Sequence, residues 1–285
     1  MSSYQLGLYE KAMPAGMTFL QMLSAAKRSG YDFLEMSVDE TDAKLARLDW
    51  TQDEREALLR DMSEAGLAIR SICLSGHRKY PLGSRDASIR ARSAEIFRKA
   101  VRLADDLGVR VIQLAGYDVY YEQGGEDTRA LFEQGLARGV DYAAQYGVTL
   151  GFETMETPFM DTVAKAMEYV RRIDSPYLGV YPDLGNLTNA AKLYGGDVYT
   201  DLALGRGRFV AMHLKETLPG QYRDLDFGAG HVDFVTGAQC ARENGVRRFV
   251  AEFWHDGRAD WQARLAQTCA YARGALDAAF AGTQE

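Results

Sequence analysis

Cysteine is scarce and badly spaced for bonding. Cys73, Cys240 and Cys269 are odd in number, far apart and free of any C-x-x-C pair. That argues against a disulfide framework or a zinc–thiolate site, and leaves buried, reduced thiols in a cytosolic protein. No apolar run approaches the ~20 residues that span a bilayer. The N-terminal Met1-Ser2-Ser3-Tyr4-Gln5 carries neither a basic region nor an apolar core, so no signal peptide is read there and a cytoplasmic location is expected. Basic charge is also short. A net charge of −7 counts against a nucleic-acid partner. It leaves room for a small phosphorylated substrate, which needs only a local positive pocket. Histidine is rare, with four in the chain. No linker, low-complexity segment or charge block divides residues 1–285, so one domain is expected.

What is present is an alternation of two apolar periods. Short β-rich runs occupy Gln5–Tyr9, Phe33–Val38, Ala68–Leu74, Val111–Leu114, Thr149–Phe152, Leu178–Tyr181, Phe209–Leu214 and Phe249–Phe253. They are apolar almost throughout, as strands covered on both faces are. Helical spacing fills the intervals at Thr18–Arg28, Thr51–Glu64, Ser88–Leu107, Asp127–Tyr146, Thr162–Ile173, Asp197–Leu204, Asp233–Glu243 and Trp261–Phe280. Gly30, Gly66, Gly108, Gly147 and Gly245 punctuate the helix ends. Eight βα steps predict an α/β protein of the (β/α)₈ TIM-barrel class. An open doubly wound sheet usually has fewer strands, and no G-x-G-x-x-G follows the first one. The loops after strands are long and polar at Gly76–Arg85, Gly116–Glu126, Thr154–Asp161 and Glu216–Gly230. In a barrel these form the catalytic face.

The last four strands each close on a polar residue: Glu153, Asp183, His213 and Glu252. The steps between them are about 30–40 residues, one βα unit each, so successive strands deliver them to one mouth. Any single one is as readily a strand-end residue paired with a Lys or Arg. Four in register point to one divalent ion, with three carboxylates and an imidazole suiting manganese, cobalt or zinc.

Glu–Asp–His–Glu on strands five to eight resembles the xylose-isomerase-like sugar isomerases and epimerases. The stretches Leu8-Tyr9-Glu10-Lys11-Ala12-Met13-Pro14, Phe33-Leu34-Glu35-Met36, Leu74-Ser75-Gly76-His77-Arg78-Lys79-Tyr80-Pro81 and Tyr181-Pro182-Asp183-Leu184-Gly185-Asn186 resemble one branch more closely, the L-ribulose-5-phosphate (L-xylulose-5-phosphate) 3-epimerases. The resemblance runs from about Tyr4 to Trp254. It implies an isomerase that inverts C3 of a ketopentose phosphate through a cis-enediolate, assembled as a homodimer or homotetramer. Inversion needs an acid/base group on each face of that planar intermediate, and Glu153 and Glu252 are the expected pair. Asp183 and His213 are expected to act as ligands alone.

For the phosphate, the expected receptor is the loop carrying His77, Arg78, Lys79 and Ser84, with Lys11 beside it. A solvated basic loop is the plainer reading. The Gly228-Ala229-Gly230 turn is a weaker candidate. Glu35 and Gln113 either reach sugar hydroxyls or hydrogen-bond within the barrel. Glu156, Asn186, Lys215, Glu216 and Trp254 follow the ligands and are candidate substrate contacts or surface residues. Tyr117, Tyr120 and Tyr121 either wall the pocket or pack a loop. Related epimerases of free ketoses carry histidine three residues after the metal aspartate. Asn186 stands there in this chain, which favours the phosphorylated branch. The rivals are a free-ketose 3-epimerase, an aldose–ketose isomerase, a barrel endonuclease and a non-catalytic sugar binder.

Overall fold

In the computed structural model, residues 4–281 are described. Residues 1–3, on which the signal-peptide reading partly rests, and 282–285 lie outside them. Eight parallel strands appear: β1 Gln5–Tyr9, β2 Phe33–Val38, β3 Ala68–Leu74, β4 Val111–Ala115, β5 Thr149–Glu153, β6 Leu178–Tyr181, β7 Met212–Leu214 and β8 Arg248–Ala251. They are ordered β6-β5-β4-β3-β2-β1-β8-β7. Single parallel bridges, Val180 to Phe209 and Asp183 to His213, join the two ends, so the sheet curls into a nearly closed barrel. This is the single-domain TIM barrel expected.

Around it lie α1 Phe19–Arg28, α2 Asp42–Leu45, α3 Gln52–Ala65, α4 Ala87–Asp106, α5 Glu126–Gln145, α6 Val163–Ile173, α7 Leu184–Tyr194, α8 Val198–Ala203, α9 Phe234–Glu243 and α10 Trp261–Phe280. Thr18 and Thr51 begin α1 and α3 with reciprocal capping boxes. Gly66 ends α3 in the left-handed conformation (φ 63°), which a side chain would disfavour.

The core has two layers. Apolar faces of strands and helices meet in one large outer cluster. A smaller set inside the barrel includes Tyr9, Phe33, Cys73, Val111, Tyr181 and Val250. Phe33 lies across Gly7, where an added Cβ would sit 2.3 Å from its ring, so the lumen is plugged. Above that plug the two-residue strand period keeps aiming side chains inward. There the inward residues turn polar.

Besides the added one-turn helix α2, two elements differ from expectation. The segment Leu184–Tyr194 is helical, although Gly185, Asn186, Thr188 and Asn189 are weak helix formers. Asp183 caps it and the barrel packs it, so tertiary context overrides propensity. Strand β7 is three residues long, because Phe209 touches β6 only through an isolated bridge.

Candidate metal centre and active site

Each of the four expected ligands is placed by a strand end. Glu153 closes β5, Asp183 follows β6, His213 is central in β7 and Glu252 follows β8. Hydrogen bonds of their N–H groups fix the last three: Asp183 N donates to Thr154 Oγ1, His213 N to Pro182 O and Glu252 N to Leu214 O, each at 2.9 Å. All four side chains are buried, and one ligand atom from each lies within 4.8 Å of all the others. His213 Nδ1 is 3.2 Å from Glu153 Oε1, 3.5 Å from Glu252 Oε2 and 4.0 Å from Asp183 Oδ2.

The donor set fits a divalent cation on two observations. Asp183 Oδ2 and Glu252 Oε2 are buried and accept no hydrogen bond. Lys215 Nζ does approach them, at 2.9 and 3.2 Å, as an ion pair without hydrogen-bond alignment. Asp183 Oδ1, by contrast, is committed, accepting the Asn186 N–H at 2.7 Å as the cap of α7. One oxygen of this carboxylate holds the helix and the other faces the cluster.

Without an ion the carboxylates strain against one another. Burial pushes Glu153 above its ordinary pKa and the charge of Glu252 adds to the rise. Burial pushes Asp183 up to about 8; Lys215 opposes this and the two glutamates reinforce it. Burial also works against ionised Glu252, but Lys215 and His213 outweigh it and bring its pKa down to about 2. A cation at the centre would relieve the two raised carboxylates, Glu153 and Asp183, at once.

Over this floor opens a cavity of about 500 Å³. Of the expected substrate contacts, Lys11, Arg78, Glu156, Asn186, Lys215 and Trp254 line it. Arg78 lies over the Tyr120 ring at 4.6 Å and donates to Tyr117 Oη at 3.3 Å, yet its buried Nε has no partner. Tyr117 in turn donates to Glu156 at 3.1 Å. Of the three loop tyrosines only Tyr120 lines the cavity; Tyr121 donates to Glu40 at 2.7 Å. Asn186 donates through Nδ2 to Thr154 O at 2.7 Å, and its buried Oδ1 accepts nothing.

The other expected contacts do not reach the cavity. His77 turns inward against Phe97, with its Nε2 3.2 Å from Ser93 O. Burial brings its pKa down to about 4, so it is neutral at pH 7 and is no cation for an anion. Lys79 is exposed and faces Asp42 at 3.7 Å. The buried Ser84 hydroxyl accepts the Asp86 N–H at 3.2 Å. The expected phosphate loop therefore reduces to Arg78. Glu216 also points away. Its carboxylate accepts N–H groups of Thr217, Gly228 and Val232 at 3.0, 2.8 and 3.2 Å, which fills the Gly228–Gly230 turn with the chain's own anion. Glu35 and Gln113 lie beneath the ligands. Gln113 Nε2 donates to Glu153 Oε2, and Glu35 bonds His213.

Sequence reasoning missed Arg223 and Tyr222, which enter the cavity from the long loop after β7. Arg223 stacks on Trp254 at 4.6 Å. The loop was conspicuous, but nothing in its pattern singles out these two positions. Tyr9, closing β1, also lines the wall and meets Trp254 edge-on at 5.9 Å.

A nearly closed parallel barrel with three carboxylates and a histidine at the C-terminal mouth defines a TIM barrel whose donor set is suited to a metal ion under a polar pocket. Comparison with known proteins narrows the class. Residues 23–274 match the xylose isomerase-like TIM barrel family. The L-ribulose-5-phosphate 3-epimerases UlaE of Salmonella paratyphi A and Salmonella typhimurium are each 46% identical over 252 residues, covering 88% of this chain and 87% of theirs. The chain belongs to the xylose isomerase-like TIM barrels and, among them, to the L-ribulose-5-phosphate 3-epimerase family. Solved structures share the fold at low identity. An L-ribulose 3-epimerase superposes with TM-score 0.76 at 18% identity, covering 99% of this chain and 100% of that one. A D-psicose 3-epimerase superposes with TM-score 0.79 at 15% identity, covering 95% and 99%.

Proposed function

We propose that the protein is a metal-dependent 3-epimerase interconverting L-ribulose 5-phosphate and L-xylulose 5-phosphate. One observation carries the reading: two buried carboxylates, Glu153 and Glu252, share a single ligand cluster that opens into a cavity rimmed by cations. Manganese, cobalt or zinc bound there supplies Lewis acidity that steadies negative charge on neighbouring substrate oxygens. The chain's residues do the rest. One glutamate takes the proton from C3, leaving a planar enediolate. The other returns a proton to C3 from the opposite face, and the configuration inverts. The epimer bound decides which acts first. Asp183 and His213 hold the ion and move no proton. Gln113 fixes Glu153, and Asn186 Oδ1 offers a buried acceptor to a sugar hydroxyl.

A cavity of about 500 Å³ suits a ligand of ketopentose-phosphate size. Lys11, Arg78 and Arg223 on its wall supply positive charge for the phosphate. The ion pair of Lys11 with Asp39 favours the second reading, a 3-epimerase of free ketoses such as L-ribulose, D-psicose or D-tagatose, because it takes one cation out of play. A phosphorylated sugar as substrate supports a cytoplasmic location. Among the described residues no helix is long and apolar enough to cross a membrane. Exposed Leu193, Tyr194 and Leu204 support assembly as a homodimer or homotetramer.

The test is deuterium incorporation at C3, followed by NMR in D₂O, with L-ribulose 5-phosphate, L-ribulose and D-psicose. Exchange fastest with the phosphorylated sugar is expected. No exchange with any ketose sinks the epimerase reading, exchange at C1 indicates an aldose–ketose isomerase, and faster exchange with free sugars removes the phosphate. Glu153→Gln and Glu252→Gln should each lower C3 exchange by about 10²–10⁴-fold. Wild-type turnover in either removes its role.

A further inference from the structure

Beneath the ligand cluster lies a carboxylate that the proton transfers do not use. Glu35 is fully buried in β2 and is absent from the cavity wall, so a sugar hydroxyl does not meet it. A charge so placed is costly unless both of its oxygens are hydrogen-bonded. Glu35 meets that demand. Its Oε2 accepts the Ser71 hydroxyl at 2.7 Å and the Tyr181 hydroxyl at 2.8 Å, and its Oε1 lies 2.6 Å from His213 Nε2.

The backbone is shaped for these contacts. Pairing of β2 with β3 shifts register between Leu34 and Glu35, so Glu35 faces Ser71 and Arg70 is skipped. Such an irregularity re-aims a side chain. The Tyr181 ring packs edge-on against the His213 imidazole at 4.7 Å. Two hydroxyl donors thus lock one carboxylate oxygen, and the other can only face the imidazole. The imidazole is then held with Nδ1 toward Glu153, Asp183 and Glu252.

We propose that Glu35 is the positioning residue of the metal centre. It keeps the His213 proton on Nε2, which leaves the Nδ1 lone pair for the ion. A neutral imidazole has one N–H and one lone pair, and a carboxylate against one nitrogen assigns both. Ser71 and Tyr181 act one step further out by fixing the carboxylate. This inference rests on the metal reading given above.

The experiment uses full-length protein labelled with ¹⁵N-histidine and loaded with Zn²⁺, which is diamagnetic. Two-bond ¹H–¹⁵N correlation should show His213 with a protonated Nε2 and a zinc-bound Nδ1. Alongside it, Zn²⁺ dissociation constants are measured by competition with a chelating dye. Glu35→Gln keeps the shape and an acceptor oxygen and should weaken zinc binding about 10-fold; Glu35→Leu removes the acceptor and should weaken it about 100-fold. A purely structural role would lower the melting temperature and leave the dissociation constant unchanged. Zinc bound through Nε2 of wild-type His213 overturns the proposal, as does wild-type zinc affinity in folded Glu35→Gln. Should Glu35→Leu fail to fold, those two measurements still decide. A wild-type protein that binds no zinc overturns this proposal together with the metal reading, whereas the other two results overturn this one alone.

Discussion

Replacing Gln113 with methionine separates catalysis from folding. Gln113 Nε2 donates to Glu153 Oε2 on the site floor, while Gln113 Oε1 is buried with no donor. Methionine has nearly the same volume and removes both groups. Loss of a hydrogen bond to a charged group costs about 1.5–3 kcal/mol, and relief of an orphaned buried carbonyl returns about 1–3 kcal/mol. The two nearly cancel, so stability should change by about 1 kcal/mol or less and the melting temperature by about 2–4 °C. Catalysis has no such cancellation. Glu153 loses the donor that fixes its rotamer, and a misplacement of about 1 Å at a reacting group lowers rate about 10²-fold. Gln113 is not on the cavity wall, so KM should hold. The assay is kcat and KM for C3 epimerisation of L-ribulose 5-phosphate, with a thermal melt of the same sample. A kcat within about threefold of wild type refutes the positioning role. A large fall in melting temperature refutes the cancellation.

Metal removal should be visible without any substrate. Saturation to about 1,000 times the dissociation constant contributes about 4 kcal/mol, which raises the melting temperature by on the order of 10 °C over the chelated protein; identical melts would remove the metal from the folded state. Arg223→Ala should raise KM for the phosphorylated sugar by about 10-fold or more and leave free-ketose turnover nearly unchanged, and an equal effect on both would take Arg223 off the phosphate. His77 gives the acid limb of stability a signature. Burial lowers its folded pKa to about 4 from an unfolded value near 6.5, so its contribution is complete above pH ~6.5 and is lost as pH falls toward 4, a span of about 3 kcal/mol. Chemical denaturation of His77→Gln should show a flatter pH dependence in that window, and an unchanged slope would assign the acid sensitivity elsewhere.

The strands and the cluster of candidate ligands were legible because both are written into local pattern. Continuous apolar runs ending in Glu153, Asp183, His213 and Glu252 state burial and chemistry together, and barrel closure supplies the convergence. Helix α7 was illegible because its first turns, with Gly185, Asn186, Thr188 and Asn189, favour caps and turns, and are held by the Asp183 cap and by packing. His77 and Ser84 misled because residue type does not reveal direction: one 3₁₀ turn, Gly76–Arg78, sends Arg78 to the cavity and His77 to the core. Glu35 was left between sugar and core because a strand's inward face includes both the wall of the cavity and the layer under it. Only register distinguishes the two.

Asp183 carries a consequence beyond the site. Its Oδ1 receives the first turn of α7 and its Oδ2 faces the ion ligands, so one rigid carboxyl group bears on two structures at once. The helix N-terminus presents positive potential from one side and a cation presents it from the other. Ion occupancy and the fraying of α7 are therefore thermodynamically linked. The far end of the same helix carries Leu193 and Tyr194, which lie exposed on the outside of the barrel. Slowed amide hydrogen exchange in the first turn of α7 would register loading of the centre without any substrate.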